Sequence, residues 1–235
     1  MDILAAGARA MDLDLTPAQL DQFARYQAVL LDWNTRINLT AIAAPEDVQR
    51  KHFLDSLTCL AVLPPGPVQV IDVGSGAGFP GLPLKLARPE LVVTLLEATG
   101  KKAKFMERVV ADLGLTGVRI LTARAEEAGQ DPAERERYDW AVARAVAPMP
   151  ELAEYLLPLV RTGGFALAQK GRAAAAEAAG AARAFKRLGG RLAAVRPVTI
   201  PGLEDERALI VIAKVTPTPK QYPRRPGEPR KNPLA

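Results

Sequence analysis

Apolar positions in the first sixty residues recur at helical spacing. In LTPAQLDQFARYQAVLLDW, Leu20, Phe23, Ala24, Leu30 and Leu31 share one side of a helix, and Ile37 continues the series. Thr16 suits the N-cap and Pro17 the first helical position. After an NLTA turn, PEDVQRKHFLDSLTCLAVL predicts a second amphipathic helix that stops before Pro64-Pro65-Gly66. The pattern then changes. VQVIDV (68–73), LVVTLLE (91–97), VRILTA (118–123), YDWAVARA (138–145) and GGFALAQKG (163–171) are short runs of strand composition. Helical segments lie among them: GLPLKLA (81–87), TGKKAKFMERVVADLG and the stretch from Pro150 to Val160, with an alanine-rich helix, AAAAEAAGAARAFKRL, after them. RLAAVRPVTI and RALIVIAKV supply two more strands. Only the short PGLEDE loop joins that pair, so the last strand is expected to run antiparallel. Strands alternating with helices predict an α/β fold, a mainly parallel sheet covered on both faces.

The chain then ends in TPTPKQYPRRPGEPRKNPL, with a proline at nearly every third position. Such a segment is expected to be extended, polyproline-like and without a core of its own. It also carries the charge. From Lys214 onward six cations face one anion, which accounts for the whole net charge of +5 and leaves the rest of the chain neutral. A cationic tail on a neutral body suits contact with a polyanion, although a merely solvated end has the same composition. With 235 residues and 49% hydrophobic composition, one sizeable domain with a small appendage is expected. The single cysteine, Cys59, excludes a disulfide framework and a cysteine-based zinc site, and its leucine neighbours mark it as a buried apolar residue. No metal is expected. No apolar run reaches the roughly 18 residues of a membrane helix, and Asp2 stands where a secretion signal is basic, so a cytoplasmic protein is expected.

The chemistry starts at VIDVGSGAGFPG (70–81), a strand running into four glycines. Gly74, Gly76 and Gly78 give one register, and Gly76, Gly78 and Gly81 give the G-x-G-x-x-G of dinucleotide enzymes. Because the apolar strand ends at Val73, Gly74 is the first loop residue and its register is favoured. Pro80 also interrupts the other where a phosphate-binding helix would begin. Glu97 closes the second strand, where a carboxylate can accept both ribose hydroxyls; this serves NAD and S-adenosyl-L-methionine equally. Ala125-Glu126 follows the third strand, where a backbone amide and an acid could read an adenine edge. No later glycine loop serves a nicotinamide half. The residues therefore favour a single-nucleoside pocket, with S-adenosyl-L-methionine ahead of NAD.

Several motifs occur together in order: WNTRINLTAI, RKHFLDSL, DVGSGAGFPGLPL, LLEATGKKAKF, RAEE, ARAVAPMPEL, AQKG and the ending TPKQYPRRPGEPRKNPL. From about Leu15 to the C-terminus the chain resembles the bacterial glucose-inhibited division protein B family, the small-subunit ribosomal RNA methyltransferases of type G. The resemblance implies a class I S-adenosyl-L-methionine-dependent methyltransferase fold. This would be a Rossmann-like seven-stranded sheet, last strand antiparallel, with a helical extension over residues 1–63, the methyltransferase domain at 64–215 and a basic tail at 216–235. It implies methylation of N7 of a guanine, customarily numbered 527, in 16S ribosomal RNA or the small subunit. The cofactor contacts it implies are Gly74, Phe79, Glu97, Ala98, Thr99, Ala125, Glu126 and Arg144. Some members lack the basic tail.

The chemistry agrees with that implication. Methyl transfer is an in-line displacement that mainly needs orientation, and guanine N7 offers a lone pair without a proton, so no general base is required. ARAVAP replaces the Asn/Asp-Pro-Pro-Tyr expected for an exocyclic amine. Arg144 is the candidate catalytic residue. A bidentate grip on O6 and N7 would block the target atom, so O6 or a phosphate is its permitted partner. An arginine paired with Glu126 or another acid, only shaping the pocket, is an equal alternative. His52, Asp55 and Ser56 mimic a hydrolase triad but lie on one helix without converging, and a structural histidine is the preferred reading. Asn34 and Asn38 suit turn and capping duty as well as substrate contact. Lys170, Lys220, Arg224, Arg225, Arg230 and Lys231 are the expected RNA contacts, and Lys101, Lys102 and Lys104 could widen that face. With aromatics at 5%, recognition should rest on phosphates and on the shape of looped RNA. Nothing demands a dimer, so a monomer is expected. The competing readings are an NAD-dependent oxidoreductase and a non-catalytic RNA-binding assembly factor.

Overall fold

Four consecutive buried residues in a short strand require cover on both faces. β1 (Gln69–Val73) and β2 (Val92–Leu96) have that pattern in the computed structural model, which describes residues 1–234. They join β3 (Val118–Leu121), β4 (Tyr138–Arg144), β5 (Val160–Lys170), β6 (Gly190–Val198) and β7 (Arg207–Lys214) in one sheet of order β3-β2-β1-β4-β5-β7-β6. β1 pairs in parallel with β2 and β4, while β7 runs antiparallel between β5 and β6, as the short PGLEDE connection predicts. Chain order reverses between β1 and β4, so a crevice opens beyond their carboxyl ends.

Alternation along each strand divides the core. Val70, Trp140 and Val142 face one cluster, while Ile71, Ala141 and Ala143 face the other. The first cluster receives α1 (Asp2–Ala10), α2 (Pro17–Asn34), α5 (Gly81–Ala87) and α6 (Gly100–Asp112) through Leu4, Phe23, Tyr26, Leu82 and Phe105. Thr16 caps α2 with Gln19 in a reciprocal capping box, as expected from its position before Pro17. The N-terminal helices thus share the core of the sheet. The second cluster receives α7 (Ala125–Ala128), α8 (Met149–Leu156), α9 (Ala174–Gly180) and α10 (Ala182–Arg187). The alanine-rich run is therefore two helices, divided after Gly180, a residue that weakens a helix interior by about 1 kcal/mol.

Two segments depart from expectation. The helix predicted over PEDVQRKHFLDSLTCLAVL is heterogeneous: α3 (Pro45–Asp47), a π-helical stretch over Val48–Leu54, α4 (Asp55–Leu57) and a 3₁₀ turn over Thr58–Ala61. π-helical segments are rare and concentrate at functional sites. This one carries His52, next to Asp55.

The carboxy-terminal segment is the larger departure. Tyr222 and Leu234 are buried in the second core, and Glu228–Lys231 forms a short helix, α11. The Arg135 guanidinium donates to the carbonyls of Gly129, Thr218 and Tyr222 at 2.7 Å each, and Gln130 Nε2 donates to Pro223 O at 2.7 Å. Lys214, at the end of β7, is buried and pairs with Glu136. The expectation of an unpacked tail is therefore corrected. Prolines lower the entropic cost of ordering this segment, and its carboxylate and carbonyl partners come from distant positions that composition does not disclose.

Gly81 tests how tightly β1 and α5 pack. A Cβ there would lie 2.5 Å from Leu95 Cδ2 and 2.9 Å from Asp72 Oδ2. Alanine favours a helix over glycine by about 1 kcal/mol, but overpacking costs about 1–3 kcal/mol. Gly81→Ala is expected to lower the urea midpoint by the equivalent of about 1 kcal/mol; a raised midpoint would show that this packing is not limiting.

Candidate active site

The loop after β1 is built on positive φ at Gly74 (71°), Gly76 (60°) and Gly78 (92°), conformations that disfavour a Cβ. Gly74 and Ser75 donate to Leu96 O at 2.8 and 3.1 Å, and Gly78 and Phe79 donate to Ser75 O at 2.8 and 2.9 Å. Beneath it, the Tyr26 hydroxyl donates to Ala77 O. Asp72 Oδ2 accepts from Gly81 N at 2.8 Å. Burial pushes the Asp72 carboxyl up to about 7, an effect its neighbouring donors and Arg144 only partly offset. Added methyl groups would meet Val146 at Gly74, and Leu82 with Tyr26 at Gly78, whereas at Gly76 only Gly74 O comes near, at 3.9 Å. The loop is packed from below and open above Gly76.

Glu97 stands at that opening. Its Oε2 accepts from Gly76 N at 2.9 Å and its Oε1 from Thr99 N at 2.8 Å. A carboxylate has about four acceptor positions, so two remain for a diol. Gly74, Glu97, Ala98, Ala125 and Glu126 line one cleft of about 290 Å³ with Val146, Glu151, Tyr155, Gly227 and Arg230. A larger cleft of about 390 Å³ opens at the other ends of the strands, around Gln69, Val92, Val118 and Tyr138. It has no glycine loop, and the smaller one is the chemically equipped cleft. Of the remaining expected cofactor residues, Thr99 contributes through its amide on Glu97, while Phe79 and Arg144 lie outside the cleft lining.

Arg144 ends β4 in a separate cluster. Its Nη1 donates to Asp55 Oδ2 at 2.7 Å and Lys51 O at 3.1 Å, and Nη2 to His52 Nδ1 at 3.1 Å. Its guanidinium lies 5.0 Å from the Phe79 ring centroid, and Phe79 stacks on His52 at 4.4 Å. The acid beside Arg144 is therefore Asp55; Glu126 instead accepts from Gly227 N at 2.8 Å. Donation by Arg144 leaves His52 Nδ1 bare, so Nε2–H donates to Thr40 Oγ1 at 2.8 Å. Burial first, then the Arg144 charge, lowers the His52 pKa to about 3. Ser56 Oγ donates to His52 O at 2.6 Å and is fully buried, so it is no nucleophile. Asn34 holds the turn after α2 through Leu39 N, Thr40 N and Thr40 O.

The expected RNA residues divide. Lys220, Arg225, Arg230 and Lys231 are exposed. Arg224 is turned inward onto Glu154, which has 0% exposure, so its reading as an RNA contact is corrected. Lys170 bonds Ala147 O and Glu177 Oε2, each at 2.7 Å. Sequence reasoning missed Tyr26, Asp72, Glu151, Glu154 and Tyr155. The signal was a pair of acids in ELAEYL, on a helix whose residues other than Pro150 are all buried. Among the described residues no helix is long and apolar enough to cross a membrane.

Comparison with known proteins adds the family. The model for rRNA small subunit methyltransferase G matches residues 19–208. A Ribosomal RNA small subunit methyltransferase G of Roseiflexus sp. (strain RS-1) is 54% identical over 234 residues, covering 100% of both chains. One from Dehalococcoides mccartyi (strain CBDB1) is 47% identical, again over 100% of both. Among solved structures, a mutant 16S rRNA (adenine(1408)-N(1))-methyltransferase from Catenulisporales acidiphilia matches with a TM-score of 0.53 at 14% identity, covering 70% of this chain and 92% of that one. P. horikoshii TYW2 in complex with MeSAdo matches with a TM-score of 0.54 at 14% identity, covering 68% and 61%. Both support the class I methyltransferase fold.

His52 gives a pH test. Below its unfolded pKa of about 6.5 the unfolded chain takes a proton that the folded one refuses down to about 3, so this group's contribution is lost as pH falls. Asp72 slopes the opposite way, so His52→Phe must serve as the reference. The stability of the parent relative to His52→Phe should fall by roughly 1–2 kcal/mol from pH 7.5 to pH 5. Parallel denaturation curves across that range would mean that His52 titrates normally.

Proposed function

The chain belongs to the rRNA small subunit methyltransferase G family, and on that premise we propose that this methyltransferase carries the methyl of S-adenosyl-L-methionine to N7 of a guanine in 16S ribosomal RNA. The observation that carries this reading is Glu97, pinned between the amides of Gly76 and Thr99 with acceptor positions left over beside the open face of the glycine loop. The residues fit the cofactor. Glu97 would take the ribose hydroxyls and Ala125-Glu126 the adenine edge, with Gly74 and Ala98 lining the same cleft. When bound, S-adenosyl-L-methionine supplies an electrophilic methyl group.

The chain's own work is orientation. N7 attacks with its lone pair, so no side chain has to accept a proton. Arg144, fixed by Asp55, His52 and Lys51, keeps Nε–H without an acceptor among the described residues. This donor suits guanine O6 or a phosphate and leaves N7 open. Lys220, Arg225, Arg230 and Lys231 add exposed charge for the RNA backbone.

Mass-spectrometric mapping of modified guanines in ribosomal RNA tests the reading, since cells without the gene should lack one N7 methyl group. Retention of the full set of marks would refute the assignment. In Glu97→Ala, loss of a charged acceptor worth about 1.5–3 kcal/mol should weaken S-adenosylhomocysteine binding about ten- to a hundredfold by calorimetry. Unchanged affinity would remove Glu97 from the site. Replacing Lys220, Arg225 and Lys231 together by alanine should reduce the slope of log affinity against log salt by about 2, at roughly 0.7 per lost phosphate contact. An unaltered slope would place the RNA elsewhere.

A further inference from the structure

Residues 216–234 form an arm that makes one wall of the cleft. Gly227 and Arg230 line it beside Glu126. Gly227, held at φ 83°, donates its N–H to Glu126 Oε1 at 2.8 Å, and Glu126 Oε2 meets no donor among the described residues. The position of Gly227 is set three residues earlier. Arg224 places three donors on Glu154: its main-chain N–H at 2.7 Å, Nε at 2.9 Å and Nη2 at 2.7 Å. Its Nη2 also reaches Asn232 O at 2.8 Å, tying the turn to the end of the arm. Beside it Pro223 packs on Gly129 so closely that a Cβ there would come within 2.7 Å of Pro223 Cγ. A carboxylate fully removed from water must keep all its donors, so the Arg224–Glu154 pair allows the arm one seat.

We propose that the arm belongs to the cofactor site, and that Arg224, through Gly227, is a positioning residue for adenine recognition. The latch on Glu154 places the Gly227 N–H, which turns Glu126 so that Oε2 accepts from the exocyclic amine of adenine. The proposal rests on the methyltransferase reading above. An arm that served only to seat its own Tyr222 and Leu234 in the second core would affect stability without affecting the choice of base.

Calorimetry with S-adenosylhomocysteine and S-inosylhomocysteine, in which an oxo group replaces the amine, separates these roles. The full chain should prefer the adenosyl compound. Arg224→Ala should reduce that preference about tenfold, the equivalent of one misplaced hydrogen bond of about 1.4 kcal/mol. Arg224→Lys, which keeps a charge on Glu154, should recover part of it. If Arg224→Ala strands Glu154 and fails to fold, Arg224→Ala with Glu154→Gln, which buries no unpaired charge, carries the same expectation. An equal fall in affinity for both compounds, or no change, would overturn the arm's role while leaving the methyltransferase intact. A full chain that binds neither compound would overturn both.

Discussion

A single carboxylate holds the floor of the cleft together. Glu97 accepts from Gly76 and Thr99, so the loop after β1 and the turn after β2 are fixed to one another through one side chain. Glycines that adopt left-handed conformations are entropically expensive and have no side chains to anchor them. The anchoring has to come from outside the loop. Glu97 supplies it from above, Leu96 O from the neighbouring strand and Tyr26 from below. Functional geometry here is a property of main chain braced by side chains.

The same logic explains the N-terminal helices. They do not form a separable unit, since Phe23, Tyr26 and Phe53 share one core with Leu82, Leu95 and Phe105. On one side they support the glycine loop through Tyr26. On the other, the π-helical turn presents His52 and the adjoining helix Asp55 to Arg144, which brings the end of β4 under the control of residues some ninety positions earlier. His52 stays neutral because it is buried beside that guanidinium, and so it acts as an acceptor and a stacking surface for Phe79. The orientation demanded by methyl transfer is thus shared between two clusters that meet at the loop.

Much of this was legible in the chain. Strands appeared as apolar runs, the antiparallel last strand followed from a connection too short for a crossover, and Glu97 was located by its place after the second strand. What failed was what depends on distant partners. Arg224 and Lys214 were counted as free tail charge, because nothing local reveals that Glu154 and Glu136 await them. Glu154 itself sits in a helix whose other residues are mostly apolar, a mismatch that only a buried partner resolves. The π-helical turn was unreadable for a different reason, since its apolar spacing differs too little from that of an α-helix over seven residues. Periodicity reports which face is buried, and it is blind to which carboxylate meets which cation across the fold.

The arm also sets a timetable. Its anchors, Arg135, Gln130 and Glu154, all precede it in the chain, and Gly227 and Arg230 are made after them. While the protein is being synthesised, the sheet and its helices can assemble before this wall exists, and Glu154 remains hydrated until Arg224 arrives. A nascent chain at that stage lacks this wall of the cleft and the contribution of Tyr222 and Leu234 to the second core. Assembly of the sheet and closure of the cleft by Gly227 and Arg230 are thereby separate events.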